Sequence, residues 1–172
     1  HQEGIYPKRT GRVHEVGEGP GKGYNVNVPL PPQTGDDGFL QVFKEVLVPV
    51  AKAFKPDLII VSAGQDAHLQ DFVAQMRVTD AGFAAMTRIM KQLATELCND
   101  KLAFVLEGGY NPKVTARAVE TIVRVLQAPS GQDDFLGETF KDDRNPAFKA
   151  RLAEVKATQQ AYWHALSPTH RA

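Results

Sequence analysis

The sequence predicts an α/β fold with a mainly parallel sheet, and three observations carry that prediction. Two short, wholly apolar runs, Leu58 to Val61 (LIIV) and Leu102 to Leu106 (LAFVL), have the character of strands buried on both faces. Between and after them lie longer segments whose apolar residues recur at helical spacing. A third, alternating run precedes both, so strands and amphipathic helices follow one another along the chain, which is the pattern of parallel sheets.

Residues 1–23 are rich in Gly, Pro and charge, have no period and are expected to form a surface loop. Tyr24 to Leu30 (YNVNVPL) sets Tyr24, Val26, Val28 and Leu30 on one side and Asn25, Asn27 and Pro29 on the other, which predicts a strand with Pro29 near its end. Pro31 to Gly38 is turn chemistry. From Phe39 to Phe54, the residues Phe39, Phe43, Val46, Leu47, Val50, Ala51 and Phe54 share one helical face, and Pro49 is expected to kink that helix or end it early. After LIIV, the segment Ser62 to Val78 is a polar loop. Thr79 is the candidate N-cap of a helix burying Phe83, Met86, Met90, Leu93 and Leu97, stopped by Asn99-Asp100. After LAFVL, the loop Glu107 to Asn111 (EGGYN) leads to a helix with Asn111 and Pro112 as N-cap and N1, burying Val114, Ala118, Ile122, Val125 and Leu126. Residues 128–145 are polar and acidic and predict an irregular connection. A last helix is expected from about Pro146 to Leu166, carrying Phe148, Leu152, Val155 and Tyr162.

At 172 residues the chain suffices for one domain, with 1–127 as its main body and 128–172 as a connection and terminal helix of the same domain. Lys+Arg and Asp+Glu both number 20, so net charge gives no reason to expect binding to nucleic acid. No run approaches the length of a membrane span. One cysteine, Cys98, cannot form an internal disulfide, which fits a reducing compartment and a cytoplasmic location.

In open α/β sheets ligands bind beyond the carboxyl ends of strands. Two such ends carry reactive side chains: Ser62 to His68 (SAGQDAH) and Glu107 to Asn111 (EGGYN). Asp66 has the chemistry of an acid, a base or a metal ligand, and equally that of a turn or capping residue. His68, two residues on, would make an Asp-x-His metal pair, but two ligands do not hold zinc, and a solvated or capping histidine is the better reading. Tyr110 follows two glycines that permit close backbone approach. Its phenol stays protonated at neutral pH and can donate to an oxyanion, or the ring can simply pack at a helix start. The glycines Gly17, Gly19, Gly21 and Gly23 do not form a phosphate loop, because they precede a strand instead of linking one to a helix. Cys98, at a helix end with no histidine nearby in sequence, is not a catalytic thiol.

Three segments, GKGYNVNVPLP (21–31), PDLIIVSAGQDAHLQD (56–71) and FVLEGGYNP (104–112), in that order and spacing, resemble the second half of the histone deacetylase family, in the branch of the bacterial deacetylase-like and acetylpolyamine amidohydrolases. The resemblance runs to about residue 127. It implies the arginase–deacetylase fold, a three-layer α/β/α sandwich with a mainly parallel sheet, here incomplete. It implies hydrolysis of acyl amides of acetyl-lysine or acetylpolyamine type at a zinc ion, with iron as the alternative metal. By the same resemblance Asp66 matches a metal ligand and Tyr110 the oxyanion donor. Gly108, Gly109, Tyr6 and Val73 match the substrate channel, and Tyr24 lies in a segment that in some relatives helps to bind a structural monovalent cation such as K+. His68 matches no ligand position.

Gln65 and Phe72 depart from the family pattern, which has an apolar residue at the first position and an Asp-Pro step at the second. The family's other metal ligands and its His-His proton-handling pair are absent from the 172 residues. The chain alone is therefore expected to be inactive, and to be completed by an N-terminal half or another chain that pairs with its exposed strand edges. The competing expectation is a non-catalytic deacetylase-like remnant that binds or scaffolds.

Overall fold

The computed structural model describes residues 1–129 and 143–167. The connection expected across 128–145 therefore falls largely outside the described residues. Helix α1 spans Asp36–Val42, and a single π turn, Phe43–Leu47, links it to α2, Val48–Phe54. Strand β1 (Ile59–Ala63), α3 (Asp80–Cys98), β2 (Leu102–Leu106), α4 (Pro112–Gln127) and α5 (Pro146–Gln159) follow, with short 3-10 turns at Gly19–Gly21 and His164–Leu166.

β1 and β2 pair in parallel, with Ile59 opposite Leu102 and Ala63 opposite Leu106, and α3 is the crossover between them. This confirms the α/β class and the parallel pairing. The pairing runs on past both strands: Glu107 donates its N–H to the Ala63 carbonyl (3.2 Å) and Gln65 donates to that of Gly108 (2.8 Å). The two loops that follow the strands are thereby tied together where a site is expected.

α3 forms where predicted. Thr79 caps it by accepting from the Gly82 N–H, and Asn99 ends it in the left-handed conformation. Its face of Ile89, Met90, Leu93 and Ala94 packs on Ile59, Val61, Leu102 and Phe104 of the sheet and on Leu40, Phe43 and Leu47. α4 packs along α3, and Lys91 of α3 reaches over to donate to the carbonyls of Val125, Leu126 and Ala128, satisfying the end of α4. A second core gathers Val13, Leu30, Val42, Val46 and Met76 with Phe148, Leu152 and Val155 of α5.

Five expectations require correction. Tyr24 to Leu30 forms no strand, and among the described residues it pairs at Leu30 alone, in an isolated bridge to Gln2. Its backbone groups bond instead to the opening loop, with Asn25 donating to Val16 and Leu30 to His1. The first helix begins three residues earlier than its apolar period, because Asp36 and Asp37 suit the positive end of the helix. Pro49 neither ends nor breaks the path: the preceding turn widens, with the Val48 N–H reaching the Phe43 carbonyl, and so relieves the clash a proline ring makes one α-turn back. The strands are not buried on both faces, since Ile60 and Val105 on the face away from α3 are 61% and 49% exposed. The last helix stops at Gln159, after which the chain turns and leaves Tyr162 partly exposed while Leu166 returns to the core.

Candidate active site

The site lies at the carboxyl ends of β1 and β2, as the parallel pairing predicts. Asp66 sits in the loop after β1, its carboxylate held between two glycine backbones. A Cβ on Gly108 would come within 2.8 Å of the Asp66 carboxyl carbon, and one on Gly64 within 2.8 Å of Oδ1. These are positions that only glycine can occupy while the carboxylate stays in place. Burial raises the Asp66 pKa above the ordinary carboxylate value, and the nearby Asp71 carboxylate adds to the rise.

Gly109 follows with φ of 142° and passes Thr115 so closely that a Cβ would lie 2.6 Å from its Oγ1. Gln65, one of the departures from the family pattern, is fully buried, and its Cβ lies 3.3 Å from the same Cβ position on Gly109. Tyr110 then projects with half its surface exposed.

Asp71, which no sequence pattern singled out, joins the two loops. Its Oδ2 accepts from the Tyr110 N–H (2.7 Å) and the Asn111 N–H (3.0 Å), and its Oδ1 accepts from the Val73 N–H (2.9 Å). Asn111 is at the N-cap position of α4 but makes no side-chain cap. Its amide donates to the Gln70 carbonyl at 2.9 Å instead. Nothing local in a single sequence signals such a contact, because Asp71 and Tyr110 are 39 residues apart.

His68 is buried, not solvated. Its Nδ1 accepts from the Gln70 N–H at 3.0 Å, its ring stacks on Phe83, and its Nε2 lies 3.5 Å from Asp80. Burial lowers its pKa. It is thus the capping histidine of the two sequence alternatives. Asp80 also pairs with Arg117 of α4 at 2.6 Å, and Arg117 donates to the Gln70 side chain at 2.9 Å. The loop after β1 is therefore braced from below by both long helices.

The structure brings Asp66, Gly108, Gly109 and the Tyr110 backbone to one place, and sets Val73 on the Asp71 loop. Tyr6 is largely exposed. Tyr24 belongs to a different neighbourhood, edge-to-face with Phe54 and Trp163 at about 6 Å. Among the described residues no group of three His, Cys, Asp or Glu side chains could hold a metal ion. Asp66 is one carboxylate, so these residues by themselves do not fit a zinc centre.

A family model described as the histone deacetylase domain matches residues 1–126. The chain is 37% identical over 174 residues to a probable deacetylase of Archaeoglobus fulgidus, covering 95% of this chain and 48% of that protein. It is 40% identical over 148 residues to histone deacetylase 14, chloroplastic, of Arabidopsis thaliana, covering 86% and 33%. Its fold superposes on the crystal structure of the HDA15 HD domain with a TM-score of 0.80 at 34% identity, covering 96% of this chain and 43% of that one. The chain thus spans between a third and a half of the length of these relatives.

Proposed function

This chain belongs to the histone deacetylase family, and from that premise we propose that it supplies part of the active site of a metal-dependent deacetylase acting on acetyl-lysine or acetylpolyamine amides. The observation that carries the reading is the contact of the Asp66 carboxylate with Gly108, which puts a partly buried acid against the turn that presents Tyr110. In this reading the Tyr110 hydroxyl donates a hydrogen bond to the oxygen that becomes negative as water adds to the amide carbon, a role that needs a protonated phenol at neutral pH. Tyr6, Val73, Gly108 and Gly109 line the approach of the acyl chain. Asp66 is one ligand of a zinc ion, with iron as the alternative, and the other ligands and the proton-handling histidines come from outside these residues. A structural monovalent cation such as K+ is bound by the segment that carries Tyr24. The isolated chain is then inactive, and its exposed strand edges pair with the rest of the domain or with another chain. Among the described residues no helix is long and apolar enough to cross a membrane, and the buried, unpaired Cys98 suits a reducing compartment such as the cytoplasm.

The test is amide hydrolysis by the complete reading frame containing this chain, with zinc. Chelator-sensitive turnover supports the proposal, and its absence refutes it. Tyr110→Phe should keep the metal and cut turnover by about 10²–10³, the scale of one lost oxyanion donor. Asp66→Ala should lose metal and activity together; retained stoichiometric zinc would remove Asp66 from the ligand set.

A second reading, a non-catalytic deacetylase-like module that binds or scaffolds, is favoured because among the described residues no three His, Cys, Asp or Glu side chains come together to hold a metal ion. An inactive complete protein that still folds and carries no metal would select it.

A further inference from the structure

We propose that Asp71 is the positioning residue of Tyr110, a role that rests on the catalytic reading above. The segment 107–111 has little to hold it in one place by itself. Gly108 and Gly109 supply no side chains, Gly109 lies at φ 142°, and Asn111 makes no cap on α4. Backbone bonds from Glu107 to Ala63 and from Gln65 to Gly108 tie the start of the segment, and what holds its Tyr110–Asn111 end is a carboxylate from the neighbouring loop. Asp71 Oδ2 takes the N–H groups of both Tyr110 and Asn111, while Oδ1 takes Val73 N–H on its own loop. One side chain therefore clamps the backbone of Tyr110 to the loop that carries Asp66. Hydrogen bonds to a charged acceptor are stronger and more directional than those between neutral groups. The Gln70 carbonyl, accepting from the Asn111 amide, closes the same junction from the other side.

The consequence is chemical. The Tyr110 ring is half exposed, so its hydroxyl is aimed mainly by its backbone. A shift of about 1 Å in a group that must meet a developing charge can cost about 10² in rate. Asp71 also shapes the substrate approach, since the same carboxylate holds Val73 beside the exposed ring of Phe72.

The experiment is a double-mutant cycle in the complete protein, with kcat and KM read separately. Asp71→Ala should lower kcat by roughly 10–100-fold with KM within about threefold. In a Tyr110→Phe background the same substitution should cost no more than about twofold, because the group it positions is already gone. A full, additive loss in that background would overturn the proposal and leave Asp71 a general structural residue. Asp71→Asn keeps the shape and one oxygen acceptor and guards against a misfolded alanine variant. In it the amide hydrogens of Tyr110 and Asn111 should exchange with solvent at least about tenfold faster than in the unsubstituted protein, as expected when a charged acceptor is lost. Unchanged exchange at both amides would also overturn the proposal. The two failures are separable: no turnover by the unsubstituted protein refutes the catalytic reading, whereas unchanged exchange or additivity in an active protein refutes the positioning.

Discussion

Gly108 and His68 illustrate what single residues decide. Gly108 touches the Asp66 carboxylate so closely that any side chain would displace it, which gives a physical reason for glycine at this point of EGGY beyond turn flexibility. His68 reads from the sequence as a solvated or capping residue in preference to half of an Asp-x-His metal pair, and its environment makes it the capping one, with Nδ1 as acceptor and the ring buried on Phe83. Because burial holds its pKa below the ordinary 6.5, the unfolded chain binds a proton that the folded chain resists. Stability from this source is complete above about pH 6.5 and is lost as pH falls below it. In the complete protein, His68→Asn offers an acceptor in place of Nδ1 and does not titrate, so its denaturation midpoint should fall less steeply with acidification than that of the unsubstituted protein. Parallel midpoint curves between pH 7 and about pH 5 would refute this reading.

At the scale of elements, α3 is the part most completely legible in the sequence. Its cap and its stop at Asn99 appear as read, and so do Phe83, Met90 and Leu93 of its apolar face, to which the structure adds Ile89, Ala94 and Cys98, while Met86 and Leu97 are only partly buried. Thr79 does more than cap. It accepts from Gly82 N–H, and its hydroxyl donates to Asp36 Oδ2 (2.6 Å), linking the start of α3 to the start of α1. In the complete protein, Thr79→Ala should therefore lower stability by about 1–2 kcal/mol, seen as a shifted urea midpoint with an unchanged slope. An unaltered midpoint would show that the cap contributes nothing. Elements whose form depends on distant partners were misread. Tyr24 to Leu30 alternates as a strand does, yet alternation only says that one side is apolar, and its backbone groups bond to the opening loop. Pro49 reads as kinking its helix or ending it early, yet the helix goes on to Phe54 behind a widened turn at Phe43–Leu47.

For the whole molecule, the sheet is the telling feature. Ile60 and Val105 face away from α3 on a two-stranded sheet, and both are largely exposed. Exposed apolar strands of this kind invite pairing with further chain. The isolated 172 residues should accordingly self-associate or unfold without a sharp transition, as read by sedimentation and thermal melting. A monomer with one cooperative transition would refute that expectation. The sequence alone determined the α/β class, the parallel pair LIIV and LAFVL, the helices between and after them, and the likeness of SAGQDA and EGGY to a deacetylase site. These rest on periodicity and short motifs, which are local. Only the tertiary structure decided that Gly108 abuts Asp66, that His68 is buried, that one sheet face is open, and that Asp71 holds Tyr110. The Gly108–Asp66 and Asp71–Tyr110 contacts join segments about 40 residues apart and exist only once β1 and β2 lie side by side, and the burial of His68 and the open face likewise depend on how the helices pack on the sheet.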